Sequence, residues 1–237
     1  MEPVLSCRGL TKSYKKGAAP ILRNFEFDLA PGRVFGLLGP NGCGKTTFLK
    51  LVAGLLTPDC GEISVLGETD PVRRASLISF LPERAAYNPG HRVSDVLDFY
   101  ADFFADFDRS VAQGMLRDLA VEISAPMRTL SKGTKEKVQL VLTMSRRAAL
   151  YLLDEPIGGV DPAARDYVLS AILGRYNREG AVIVTTHLIH DVESAIDEFA
   201  FIAPSGQILR RGMAEETRRE EGKTLDELFR EVFRYAP

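Results

Sequence analysis

The chain is poor in cysteine, carries no excess of either charge and has no long hydrophobic run, and each shortage excludes a class of protein. The three cysteines, Cys7, Cys43 and Cys60, are odd in number and fit no metal-ligand spacing. They exclude a disulfide framework, and three reduced thiols are expected. Basic residues number 30 against 32 acidic ones, a formal net charge of -2, which leaves no electrostatic footprint for nucleic acid as a partner. The basic pairs Arg73-Arg74 and Arg146-Arg147 are expected on the solvated surface. No window approaches the roughly 18 consecutive apolar residues that a membrane-spanning helix requires, so any membrane role is expected to pass through a partner. Met1-Glu2-Pro3-Val4 lacks a basic start followed by an apolar run, so no secretory signal is expected. Internal repeats and low-complexity tracts are missing too.

What is present is an ordinary globular composition, 237 residues with 45% hydrophobic and 26% charged, enough for one well-buried domain. Residues 4–30 alternate short apolar stretches with turns, which predicts antiparallel strands with a loop from Lys15 to Pro20. Arg33 to Leu38 reads as an apolar strand, and Thr46 to Leu56 has helical spacing through Phe48, Leu49, Val52 and Leu55. Ile63 to Leu66 and Leu77 to Leu81 are further strand candidates. From Ser94 to Ser145 the pattern is helical, with Val93, Val96, Leu97, Tyr100 and Phe104 on one face. Strand signals return at Leu150 to Leu153 and Ala181 to Val184. Strands on both sides of a helical block predict one α/β domain spanning 1–237, with a helical subdomain inserted at 84–145 and a helical tail at 213–237. In that tail, Thr224 to Glu227 has capping-box spacing before Leu228, Phe229, Val232 and Phe233.

The most specific signal is Gly39-Pro40-Asn41-Gly42-Cys43-Gly44-Lys45-Thr46, the P-loop pattern of glycines, a lysine and a hydroxyl at fixed spacing. Glycines permit the dihedrals that turn backbone N–H groups inward, and the following helix presents its positive end to an anion. Lys45 is expected to reach the β- and γ-phosphates, Thr46 to ligate Mg²⁺ and Thr47 to donate to the α-phosphate. Alkylation of Cys43 is expected to crowd the loop. The pattern sits between a strand and a helix, which argues against a chance glycine turn. It does not by itself separate a kinase, a GTPase and a motor.

Leu150-Tyr151-Leu152-Leu153-Asp154-Glu155-Pro156 ends an apolar strand in two adjacent carboxylates. Successive strand side chains diverge, so the two can hold different posts. Asp154 is expected to support Mg²⁺, and Glu155 to act as general base on the attacking water. His187 directly follows a second apolar strand, where parallel sheets place ligand groups, and is expected to contact the γ-phosphate.

In this order the pieces resemble the nucleotide-binding subunit of ABC transporters over nearly the whole chain. Leu130-Ser131-Lys132-Gly133-Thr134 resembles the family's signature, Asp161 matches the D-loop, His187 the switch histidine, and Tyr14 the aromatic that stacks on adenine. The resemblance implies a P-loop NTPase core of the ABC-ATPase kind with an N-terminal antiparallel β subdomain. It also implies two cassettes, identical or different, facing head to tail with ATP between them, so that Ser131, Lys132 and Gly133 act in trans. Two departures stand out. Lys132 and Thr134 replace the usual second glycine and glutamine of the signature, and Glu83, in Phe80-Leu81-Pro82-Glu83, replaces the glutamine of the Q-loop. Both are similar to ABC-2-type exporters of the bacitracin-export kind. The resemblance therefore implies a MgATP-hydrolysing exporter subunit, cytoplasmic and peripheral on the membrane through a separate permease. Segment 84–92, with Tyr87, is the expected receiving surface for that permease. A soluble remodelling ATPase is the alternative, and a small-molecule kinase would leave Ser131, Asp161 and His187 without a purpose.

Overall fold

The computed structural model describes residues 2–15, 17–83, 87–158 and 162–234. The first half runs β1 (Leu5–Lys12), β2 (Leu22–Leu29), β3 (Val34–Leu38), α1 (Lys45–Val52), β4 (Cys60–Val65), α2 (Pro71–Ser76), β5 (Ile78–Leu81), α3 (Val93–Phe103) and α4 (Arg109–Asp118). It continues α5 (Lys132–Met144), β6 (Leu150–Asp154), α6 (Pro162–Arg175), β7 (Ala181–Thr186), α7 (Ile189–Val192), β8 (Glu198–Ile202), β9 (Ile208–Met213), α8 (Ala214–Glu221) and α9 (Leu225–Phe233).

Two sheets carry the α/β fold that the sequence predicts. An antiparallel sheet has the order β2-β1-β4, and a six-stranded sheet has the order β5-β6-β7-β3-β8-β9. All neighbours in the second sheet are parallel except β8 and β9. Every residue of β3, β6 and β7 is buried, because both faces of a parallel sheet are covered. One core lies between the two sheets and includes α1. There Phe27 meets Phe35 and Phe48 edge-on, with ring centroids 4.9 and 5.5 Å apart. The other core faces the helices, and Phe229 and Phe233 of α9 pack on Phe201 of β8. The capping box forms as its spacing predicts: Glu227 N donates to Thr224 Oγ1 at 3.1 Å and Thr224 N to Glu227 Oε2 at 2.8 Å.

Several elements depart from the sequence reading. α1 stops at Val52, well before Leu56, because Gly54 turns the chain in a left-handed conformation (φ 75°). The basic pairs are split between surface and interior. Arg73 and Arg147 are exposed, but Arg74 and Arg146 are buried. Arg74 donates to Val52 O at 3.1 Å and Ile63 O at 2.9 Å, closing carbonyls at the end of α1 and in β4. Arg146 donates to Ile78 O at 2.6 Å and to Asp106 at 2.9 Å, and its guanidinium lies 3.8 Å from the Phe104 ring centre. A planar five-donor group suits such sites, where several carbonyls converge and water is excluded.

Candidate active site

The site gathers at the C-terminal ends of the parallel strands, where β7 lies between β6 and β3. Leaving β3, the chain enters the loop 39–44, where Gly42 and Gly44 take left-handed φ values of 82° and 107°. A Cβ on Gly39 would fall 2.6 Å from both Cys43 Sγ and Ile202 O, so no larger residue fits there. Lys45 Nζ folds back over the loop and donates to Gly39 O at 2.7 Å and Pro40 O at 3.1 Å. The ammonium is thereby held over the loop, and the orphan amides of the first turn of α1 add positive potential.

Cys43 departs from its expected accessibility. Its side chain is fully buried beneath the loop, and burial pushes its thiol pKa upward, both of which oppose alkylation.

Asp154 ends β6 at 2% exposure. Its Oδ1 accepts from Thr46 Oγ1 at 3.1 Å and from Thr185 Oγ1 at 2.7 Å. Its Oδ2 is buried and has no hydrogen-bond partner. Burial pushes this carboxyl upward, helped by the charges of Glu155 and Glu83 and opposed by the two hydroxyls. A lone buried carboxylate oxygen beside a threonine hydroxyl, in a field of further carboxylates, fits a small divalent cation. Among the described residues no cluster of three or more His, Cys, Asp and Glu forms a closed metal cage. An ion that keeps water and phosphate ligands needs no such cage.

Glu155 has a left-handed backbone (φ 52°), uncommon for a residue with a side chain, and its N–H is fixed by Thr185 O at 3.0 Å. Its two carboxylate oxygens are held separately. Thr186 Oγ1 donates to Oε2 at 3.1 Å, and His187 Nδ1 lies 3.0 Å from Oε1. A carboxylate only accepts, so Nδ1 carries the hydrogen and Nε2 is left for another partner.

Tyr14 is 64% exposed, and its Oη sits 2.9 Å from Thr47 Oγ1. Together with Asn41, Lys45, Thr46, Glu83, Glu155 and His187 these two line a cleft of about 480 Å³. The predicted phosphate, metal and water residues thus converge on one place. Ser131 lies apart from that cleft as N-cap of α5, where its Oγ accepts from Thr134 N at 3.1 Å, and Gly133 follows in the first turn. Lys132 pairs with Glu136 at 3.8 Å and lines an adjoining cavity of about 180 Å³ shared with Glu83 and Glu155. Asp161 lies outside the described residues, as do Arg84, Ala85 and Ala86 of the expected permease segment. Tyr87 is half-buried against its own core.

Three residues of the site escaped the sequence reading: Thr185, Thr186 and Gln139, whose Nε2 donates to Pro82 O at 2.6 Å and steadies the segment bearing Glu83. The signal for the threonines was present, since two hydroxyls end an otherwise apolar strand.

Comparison with known proteins places the chain in a family. The protein family described as "ABC transporter" matches residues 22–158. Nod factor export ATP-binding protein I of Ralstonia nicotianae is 31% identical over 222 residues, spanning 90% of this chain and 68% of that protein. ABC-type transporter ATP-binding protein EcsA of Bacillus subtilis is 30% identical over 245 residues, spanning 97% of this chain and 96% of that one. A solved structure of the ATP binding subunit of an ABC transporter superposes with a TM-score of 0.86 at 26% identity, covering 97% of this chain and 99% of that one.

Proposed function

This chain belongs to the ABC transporter family as an ATP-hydrolysing, ATP-binding subunit, and from that premise we propose how its residues divide the work and what the work drives. Loop amides from Gly39 to Gly44 and the start of α1 bind the triphosphate, Lys45 neutralises its terminal oxygens, and Thr47 holds the α-phosphate. Tyr14, tethered to Thr47 through its hydroxyl, offers its exposed ring to adenine. Magnesium, when bound, would be held by Asp154, Thr46 and Glu83 and would neutralise charge developing on the phosphates. Glu155 accepts the proton of the attacking water on its carboxylate, while His187 uses Nε2 toward the γ-phosphate.

A second cassette, identical or different, completes the site with its own Ser131, Lys132 and Gly133, and Asp161 is assigned to the D-loop. Among the described residues no helix is long and apolar enough to cross a membrane. We assign that task to a separate permease, through which this subunit sits on the cytoplasmic face of the membrane. An apolar groove of about 770 Å³ bordered by Leu55, Val72 and Phe103, all more than half exposed, is suited to a helix of that partner. Export is the direction favoured, because several relatives are named for export and Glu83 and Lys132 resemble exporter sequences.

The observation that carries the reading is the placing of Asp154, with its orphaned oxygen, and of the clasped Glu155 beside the phosphate loop. The test is to purify the chain from its native membranes, identify the membrane protein retained with it, and measure ATP hydrolysis with and without magnesium. Magnesium-dependent turnover that responds to the permease is expected. Turnover indifferent to magnesium, with no membrane protein retained, would overturn the proposal.

A further inference from the structure

We propose that Thr186 is a positioning residue for hydrolysis: its hydroxyl, fixed by the Leu188 amide, sets the direction of the Glu155 carboxylate. The inference rests on Glu155 being the general base.

The register of two parallel strands supplies the first argument. Asp154 at the end of β6 pairs with Thr185, the last residue but one of β7, so two successive carboxylates lie beside two successive hydroxyls. Side chains alternate along a strand, and each carboxylate receives its own threonine. Thr185 Oγ1 serves Asp154 Oδ1 at 2.7 Å, and Thr186 Oγ1 serves Glu155 Oε2 at 3.1 Å.

Proton counting supplies the second. A hydroxyl has one hydrogen to give, and it can accept from elsewhere. Leu188 N donates into Thr186 Oγ1 at 2.9 Å, which leaves the hydroxyl hydrogen for Glu155. The relay therefore has a fixed sense, from the backbone amide after His187, through Thr186, to the base.

Burial supplies the third. Thr186 is fully buried, so water has no route to replace its hydroxyl, whereas the His187 side chain on the other carboxylate oxygen is 50% exposed. A β-branched side chain is restricted at χ1, and in a packed strand this makes Thr186 the stiffer of the two contacts. A base misdirected by even a small angle loses alignment with its water, so the cost falls on the chemical step and not on nucleotide affinity.

The test uses T186V, which keeps the shape and removes the donor, alongside T186S, which keeps the donor. For T186V we expect kcat to fall by about ten- to a hundredfold, the worth of one hydrogen bond to a charged group, with KM for ATP unchanged. T186S restores most of that loss. In single-turnover measurements T186V adds little to E155Q, because both act through one carboxylate. A T186V enzyme with wild-type kcat overturns the inference, as does a T186V loss of equal size in the E155Q background, or a T186S enzyme no better than T186V. Melting curves accompany each variant. Should T186V melt early, T186A replaces it with the same expected loss and the same overturning results. Full activity in E155Q would instead remove the base itself, a failure distinct from T186V proving silent while E155Q is dead.

Discussion

Thr46 Oγ1 donates to Asp154 Oδ1 at 3.1 Å, joining the first turn of α1 to the end of β6 across 108 residues of sequence. This bond and that from Thr185 satisfy one carboxylate oxygen and leave the other, buried, to whatever cation the site recruits. A carboxylate so placed is costly to the nucleotide-free fold and useful only with its ion.

Asp154→Asn should therefore raise the melting temperature of nucleotide-free protein at neutral pH while abolishing magnesium-dependent hydrolysis. Burial raises the folded-state pKa of Asp154, so the folded protein holds its proton more tightly than the unfolded chain does. Stability from this group is greatest below the unfolded value, about 3.9, and is lost as pH rises through the folded value. The advantage of the asparagine variant should accordingly shrink toward zero on acidification below about pH 4. Melting curves across pH check the sign.

Glu155→Gln should bind ATP with near-normal affinity yet turn over about 10²–10⁴ times more slowly, the usual worth of a general base. A cassette dimer should accumulate with ATP. Sizing by light scattering and a phosphate-release assay measure the two halves of this prediction.

Lys45→Ala should lose nucleotide binding itself. Each charged hydrogen bond to phosphate is worth about 1.5–3 kcal/mol, and the loss of two would weaken affinity at least about a hundredfold. Titration calorimetry reads this directly, and an unchanged dissociation constant would contradict the phosphate-cradle assignment.

Arg146→Ala should destabilise the fold by about 3 kcal/mol or more, since it strips buried partners from Asp106, Ile78 O and Ser76 O together. Arg146→Lys should recover little of this, because a point charge cannot serve three acceptors spread over a plane. Urea unfolding of both variants separates charge from geometry.

Thiol labelling of the native protein should modify Cys60 alone. Cys60 is exposed, whereas Cys7 and Cys43 are fully buried, and burial pushes the Cys7 thiol up to about 12. Mass spectrometry after brief alkylation should find one adduct, and three after denaturation.

The sequence disclosed the places where local rules act. Glycine spacing located the phosphate loop, and an apolar strand running into two acids located Asp154 and Glu155. What stayed hidden depends on partners far along the chain. Arg74 and Arg146 look no different from their exposed neighbours Arg73 and Arg147; only the assembled carbonyls around them make the distinction. Thr185 and Thr186 read as the tail of a β-branched strand until the register with β6 gives each a carboxylate. Cys43 lies in a glycine-rich loop whose proposed role rests on backbone amides, and its side chain turns inward. The antiparallel pair β8 and β9 also stayed hidden, because β9 is a half-exposed edge strand interrupted by Arg210 and Arg211.

The position of β7 between β3 and β6 has a thermodynamic consequence. Tyr14, Lys45, Glu155 and His187 meet only once three strands from distant parts of the chain lie side by side. An unfolded chain presents no such pocket, so every molecule of nucleotide bound draws the population toward the folded form. At a hundred times its dissociation constant that ligand would add about 2.7 kcal/mol to the unfolding free energy. Cellular ATP thus acts on this subunit as a folding ligand as well as a fuel, and variants with a damaged cleft should be depleted in cells beyond what their intrinsic stability accounts for.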